Sequence, residues 1–336
     1  MTSRPRLTPA VADVRRYTRE ALQRHGISKS DFVLVAVSGG PDSLALASAL
    51  AFEAGKLEIR YGAIVVDHKL QANSHEVAET AATRLKMLGY SLVKVQQVTV
   101  GNEGGMEAAA RTARYLAIDE LAAELDAKFV LLGHTKNDQA ETVLLGLARG
   151  SGARSLSGMN ELTGRYLRPL LALGRDTTVA ACTDAGIEFW EDPHNTNEEF
   201  ARVKVRQVLL PMMEEQLGPG IVDALSRTSD QLREDVEVLD HLAEHAFQEV
   251  SAKRPTSIDL DISKLLEKPI ALRLRVYRIA ADIFGSHLHR SHVLEIDRLI
   301  TDWHGQKALA VPGVRVERLG ENISLKSTKT LKPGAC

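Results

Sequence analysis

Apolar and polar positions alternate along the first two-thirds of the chain with two different periods. Short runs rich in Val, Ile and Leu occupy 32–37, 60–66, 91–98 and 128–133, and each reads as a strand. Stretches with apolar residues at three- and four-residue spacing occupy 43–54, 74–88, 106–125 and 137–148 and read as helices. The run VLVAV at 33–37 is apolar at every position, the pattern of a strand covered on both faces. Such alternation predicts an α/β fold, a parallel sheet with helices on both faces. Ligands of these sheets gather outside the carboxyl ends of the strands. The pattern changes near residue 215. LGPG at 217–220 is a break, and 221–250 reads as one long amphipathic helix. Helical stretches near 269–284 and 290–302 follow, then short strands near 307–311, 314–318 and 322–326. The expected organisation is an α/β domain over 1–215, a linker helix over 216–250 and a small, mostly helical C-terminal domain over 251–336.

Composition fits this picture: 44% of the 336 residues are hydrophobic and 26% charged, ordinary for a soluble globular chain. The two cysteines, Cys182 and Cys336, are far apart and lack metal spacing, which disfavours a disulfide scaffold or a zinc site and favours a reducing cytoplasm. The N-terminus has no apolar core of signal-peptide type, and no stretch is expected to span a membrane. The formal net charge is −2, so the chain as a whole is no polyanion binder. The charge is unevenly placed, however. Residues 217–250 hold 8 acidic against 2 basic residues, and 251–336 hold 15 basic against 9 acidic. Arg273, Arg275, Arg278, His287, His289, Arg290, His292 and Arg298 concentrate in that tail and suggest a polyanion contact.

Chemistry-bearing residues fall at the strand ends. SGGPDS follows the first strand, with Ser38, Gly39, Gly40, Pro41, Asp42 and Ser43. The glycines permit a tight turn and close approach of a ligand. Free N–H groups and a helix N-terminus then converge on one point, which suits an anion. The Lys of a Walker A loop is absent. Asp42 is expected to face solvent on this loop. After the fourth strand, GHTKNDQAET (133–142) places His134 at the sheet edge, and Asp138 and Glu141 on one helix face. Asn137 or Asp138 caps that helix on this reading. The segment accommodates either a capped acidic first turn or a site for a cation. MEAAARTARY (106–115) puts Arg111 and Arg114 one turn apart. RPLL (168–171), the turn-rich EDPHN, and Arg202, Lys204 and Arg206 complete the set.

In this order, SGGPDS, VDH, EAAARTARY, GHTKNDQAET, RGSGARSLSGM, RPLL and EDPHNTN resemble the tRNA(Ile)-lysidine synthase family of PP-loop, or N-type, ATP pyrophosphatases. The resemblance is strong over about 35–210 and looser beyond, and implies a short form. It implies the adenine nucleotide alpha hydrolase-like fold and a bacterial cytoplasmic ligase. Its members adenylate the C2 carbonyl oxygen of the wobble cytidine of CAU-anticodon tRNA(Ile). Free L-lysine then displaces AMP. The resemblance assigns ATP contacts to Ser38, Gly39, Gly40, Pro41, Asp42, Ser43, Val66, Arg111, Gly133 and His134. It assigns Mg²⁺ to Asp42 and Asp138, and catalytic roles to Asp42, Arg111, Asp138, Glu141, Arg202 and Arg206. The lysine cation falls to Asp138 and Glu141, and its proton to Glu141 or His134. The tRNA is expected on the basic tail, and a homodimer is compatible. A related tRNA thiolase would show clustered cysteines and an amidotransferase a glutaminase domain or partner. A non-catalytic nucleotide or RNA module would not require the acidic residues.

The chain departs from the family pattern at four places. Lys69 stands where Gly is usual, Gln71 where Arg is frequent, and His194 in place of Ser. Val203 replaces the Asn of Arg-Asn-x-Ile-Arg, while Arg202 and Arg206 keep their places.

Overall fold

A computed structural model describes residues 7–69, 73–99, 101, 106–150, 152–190 and 201–328. Gln71, EDPHN with His194, and Cys336 lie outside these residues. The chain divides into two compact units, Met1–Asp230 and Gln231–Cys336, and the division falls inside one helix.

The first unit carries a six-stranded sheet in the order β3-β2-β1-β4-β6-β5. Helix α1 (Pro9–Arg24) precedes β1 (Phe32–Val37), α2 (Pro41–Leu57), β2 (Arg60–Asp67), α3 (Ser74–Met87) and β3 (Val93–Gln97). Then come α4 (Met106–Glu124), β4 (Ala127–Leu132), α5 (Lys136–Ala148) and the short α6 (Ala153–Leu156). β5 (Leu162–Thr163) and β6 (Tyr166–Leu167) form a small hairpin at the sheet edge. The hydrophobic pattern did not reveal this hairpin, because each strand is only two residues long. β1 pairs in parallel with β2 and β4, and β4 with β6.

The unbroken apolar run of β1 has a direct cause. Val33, Val35 and Val37 pack into one core with residues of α1, α2, α3 and α7 (Arg175–Asp184). Phe32 and Leu34 pack into another with Ile118, Leu121 and Ala122 of α4. Helices therefore cover both faces. The strand order reverses between β1 and β4, which makes the crevice above their carboxyl ends the topological switch point.

A continuous helical segment follows the undescribed residues: α8 (Ala201–Lys204), one π-helical turn (Val205–Leu209) and α9 (Leu210–Leu217). Pro211 accounts for the irregularity, since it has no N–H for the carbonyl four residues earlier. Val205 and Leu210 pack with Ala140 and Leu144 of α5, which fixes this segment over the acidic face of α5.

Helix α10 (Ile221–Val250) leads into the second unit. There β7 (Ser251–Lys253), β8 (Ser257–Asp261), β9 (Leu309–Val311), β10 (Val314–Leu319) and β11 (Asn322–Ser327) form a five-stranded sheet ordered β7-β8-β11-β10-β9. Helices α11 (Ile262–Leu266), α12 (Ile270–Asp282) and α13 (Arg290–Thr301) cover it around the fully buried Tyr277. The tail is thus helical with a complete sheet, two strands of which the periodicity missed.

The basic cluster of the tail requires correction. Arg273 grips both oxygens of Asp297 at 2.8 and 2.9 Å and donates to the Lys268 carbonyl. Arg275 donates to Asp240 and to the Ala271 carbonyl, each at 3.0 Å. Arg278 donates to the Leu288 carbonyl. These three arginines hold the unit together, whereas His287, His289, Arg290 and Arg298 are exposed.

Candidate active site

The phosphate loop is built by its own hydroxyls. Gly39 adopts φ +87°, open to glycine but costly for other residues. The Ser38 N–H donates to Ser43 Oγ at 3.2 Å, and Ser43 Oγ donates to the Gly40 carbonyl at 2.9 Å. Gly40 is the N-cap of α2 and Pro41 its first residue. The N–H groups of Asp42 and Ser43 begin the helix and have no intrahelical acceptor, so they remain for an anion. Gly133 comes close beneath. A Cβ there would lie 2.9 Å from the Asp42 carbonyl carbon and oxygen and from the Ser43 nitrogen.

Asp42 does not face solvent. Its carboxylate is largely covered, accepting from Arg175 Nε at 3.1 Å and from the Thr178 hydroxyl. Burial raises its pKa, against the opposing pull of Arg175 and Thr178. The N-cap of α5 is Thr135 rather than Asn137 or Asp138. Asp138 reaches back to it, accepting from the Thr135 N–H at 2.8 Å and its hydroxyl at 3.0 Å through Oδ2. Oδ1 meets three guanidinia, Arg206 at 3.3 Å, Arg202 at 3.4 Å and Arg175 at 3.5 Å. Burial works to raise the Asp138 carboxyl, but Arg175, Arg202, His134 and the Thr135 N–H together hold it below the usual value. Glu141, one turn on and fully buried, accepts from Arg202 Nε at 2.7 Å and from Arg206 Nε at 2.5 Å. Asp42, Asp138, Glu141, Arg202 and Arg206 are therefore brought into one cluster.

Arg175, which joins Asp42 to Asp138, was missed. Its signal was an arginine in the first turn of α7, where the helix dipole disfavours a cation. Asn137 Oδ1 accepts the Arg175 backbone N–H at 2.9 Å and ties that helix start to α5.

The other sequence-chosen residues line the neighbouring strand ends. Val66 is half-buried against the α4 side of the sheet. Arg111 lies over the Tyr115 ring, 4.8 Å from its centroid, and donates to its hydroxyl. His134 is lowered to about 4 by burial and by Arg168, Arg202 and Arg111, against Asp138. Lys69 sits at φ +54°, the backbone conformation that explains the usual glycine there. The buried Cys182 donates to the Pro41 carbonyl at 3.4 Å, and burial pushes its thiol up to about 12. Among the described residues no group of three or more His, Cys, Asp or Glu could hold a metal, and no helix is long and apolar enough to cross a membrane.

The family model that matches is a PP-loop domain, over residues 12–213. A tRNA(Ile)-lysidine synthase of Leifsonia xyli subsp. xyli is 52% identical across 88% of this chain and 89% of its own length. One of Thermobifida fusca is 49% identical across 91% and 94%. The chain belongs to the tRNA(Ile)-lysidine synthase family. A solved U34-tRNA thiolase, NcsA from Methanococcus maripaludis with its [4Fe-4S] cluster, shares the fold with a TM-score of 0.57 at 18% identity, covering 67% of this chain and 80% of that one. With the family in place, the cluster of carboxylates and arginines at the switch point is the candidate active site of this chain.

Proposed function

We propose that this chain adenylates the C2 carbonyl oxygen of the wobble cytidine in CAU-anticodon tRNA(Ile) and replaces the adenylate with free lysine. One observation carries the reading: the N-terminus of α2, open to phosphates, adjoins the paired acids Asp138 and Glu141 under Arg202 and Arg206. In the first step the cytidine O2 attacks the α-phosphorus, and the bond to the β-phosphate oxygen breaks. Pyrophosphate leaves toward the N–H groups of Asp42 and Ser43 at the start of α2. In the second step the lysine side-chain amine attacks C2 and loses a proton, the C2–O bond breaks, and AMP leaves. Both Glu141 oxygens already accept from arginines, while the His134 Nδ1 has no hydrogen-bond partner among the described residues. His134 is thus the freer proton acceptor.

The residues fit Mg²⁺. Asp42 and Asp138 offer hard oxygens to one shared cation, a role Arg175 fills here, and Mg²⁺ commonly takes one or two carboxylates plus phosphates. Asp42 and Asp138 would hold the ion, which when bound neutralises charge on the phosphates.

The test is a nucleoside digest of CAU-anticodon tRNA after incubation with ATP and labelled lysine. Label in a modified cytidine, with pyrophosphate release that stops when tRNA is omitted, is expected. Unlabelled cytidine with intact, folded protein would overturn the proposal.

A further inference from the structure

His68 follows β2 and meets Arg114 of α4, whose Nε–H donates to His68 Nε2 at 3.0 Å. A guanidinium has no acceptor, so this ring nitrogen must present its lone pair. Burial first, then the Arg114 charge, lowers the imidazole to about 4 against the pull of Asp67. The ring is therefore neutral near pH 7, and its single proton sits on Nδ1. That atom is buried and has no hydrogen-bond partner among the described residues. Buried donors are rarely left so, and a bound ligand can supply the acceptor that the described residues do not.

The surroundings identify the acceptor's chemistry. Arg168 Nε is also a buried donor without a partner among the described residues. The Arg111 charge acts on His134, Arg114 and Arg168 alike. Asp67, the acid that acts on His68, accepts from the Lys69 N–H through Oδ1, while its Oδ2 is buried 3.9 Å from His75 with no hydrogen-bond partner among the described residues. Donors and cations dominate this side of the crevice, and an anionic oxygen is the matching ligand. The phosphate loop, across the crevice on β1 and α2, serves the departing pyrophosphate.

Resting on the adenylyl transfer above, we propose that His68 Nδ1–H donates a hydrogen bond to an oxygen of the α-phosphoryl group. Arg114 is the positioning residue that fixes the tautomer. The donor stabilises charge that shifts onto the phosphoryl oxygens as pyrophosphate leaves.

The test uses the full chain labelled with ¹⁵N-histidine, and α,β-methylene-ATP as the probe. The free protein should show His68 as the Nδ1–H tautomer. The analogue should move that proton downfield, and pyrophosphate alone should not. His68→Asn places an amide N–H where Nδ1 was and should bind the analogue nearly as wild type does. His68→Ala should weaken it about tenfold or more, the size of one charge-assisted hydrogen bond. Arg114→Met should release the ring to the Nε2–H form with a comparable loss. If wild type binds the analogue while the His68 signals stay still, the inference fails and adenylyl transfer stands. If wild type neither binds the analogue nor releases pyrophosphate, both fall.

Discussion

Gly133 sets how closely the end of β4 approaches the phosphate loop, and alanine there puts a defined load on the site. The new Cβ would lie 2.9 Å from three backbone atoms of Asp42 and Ser43, whereas ordinary contact begins at 3.4 Å. A gap of about 0.5 Å must open. Side-chain rotation cannot open it, because the obstructing atoms are the first turn of α2. That turn is pinned by the Ser43 hydroxyl and by the buried Leu44 and Leu46. Overpacking of this kind costs about 1–3 kcal/mol. For a unit of this size, 2 kcal/mol lowers Tm by about 4–8 °C. The N–H groups of Asp42 and Ser43 move with the turn. A 1 Å misplacement can cost about a hundredfold in rate, so about tenfold is expected from half that shift. Thermal melts, ATP calorimetry and pyrophosphate release measure the three effects. Gly40→Ala is the control for stability. Its Cβ would meet nothing closer than 3.7 Å, and its φ of −78° is ordinary for any residue. A Gly133→Ala protein that melts and binds ATP like wild type would refute the close approach, as would a Gly40→Ala protein that melts equally low.

Glu141→Gln removes the buried charge between Arg202 and Arg206; it should cost about 2–3 kcal/mol in urea unfolding, below the usual 3–5 because both arginines are a quarter exposed. The same variant should raise the lysine KM far more than the ATP KM, and a change confined to ATP would move Glu141 out of the lysine site. Lysine should bind more tightly when α,β-methylene-ATP is present, by calorimetry, and equal affinities with and without it would exclude coupling between the two ligands. His68 and His134, at about 4 against 6.5 unfolded, take up protons more readily in the unfolded chain. Their contribution to stability is complete above pH 6.5 and is lost as pH falls toward 4, so His68→Asn and His134→Asn should flatten the urea midpoint across that window. Arg273→Met strands the buried Asp297 and should destabilise the C-terminal unit by about 3–5 kcal/mol in hydrogen exchange. Its effect on the salt dependence of tRNA binding should be smaller than that of removing the exposed Arg290 and Arg298.

The strands and helices of the first unit were legible because each buries a continuous surface. A residue such as Val35, enclosed on its face of the sheet, leaves a run that no loop would carry. The site was legible where local chemistry and local geometry coincide, as at SGGPDS, where glycine and proline are required by the turn itself. Charge was the weaker guide. Arg273 and Arg290 look alike in a string of letters, and only tertiary packing decides that one is bound to Asp297 while the other faces solvent. Arg175 was hidden for the same reason. Its partners Asp42 and Asp138 lie on other elements, far away in the chain, and only the sheet order brings them within reach.

That convergence has a consequence for how the ligands enter. Asp42, Asp138 and Glu141 face Arg175, Arg202 and Arg206, so the formal charges of this cluster cancel. A cancelled cluster attracts neither phosphates nor an ammonium strongly. Its parts are nevertheless poorly matched. Asp138 shares one oxygen among three guanidinia at 3.3–3.5 Å, longer than a strong charge-assisted bond. Phosphates at the N-terminus of α2 offer those arginines better acceptors. Each guanidinium that turns to a phosphate leaves carboxylate charge behind, and a lysine ammonium is the natural replacement. Arg202 and Arg206 stay anchored on Glu141 at 2.7 and 2.5 Å and Arg175 on Asp42 at 3.1 Å, so the shared Asp138 oxygen is what a nucleotide would free, and the proposed lysine binding is expected to tighten once ATP is present.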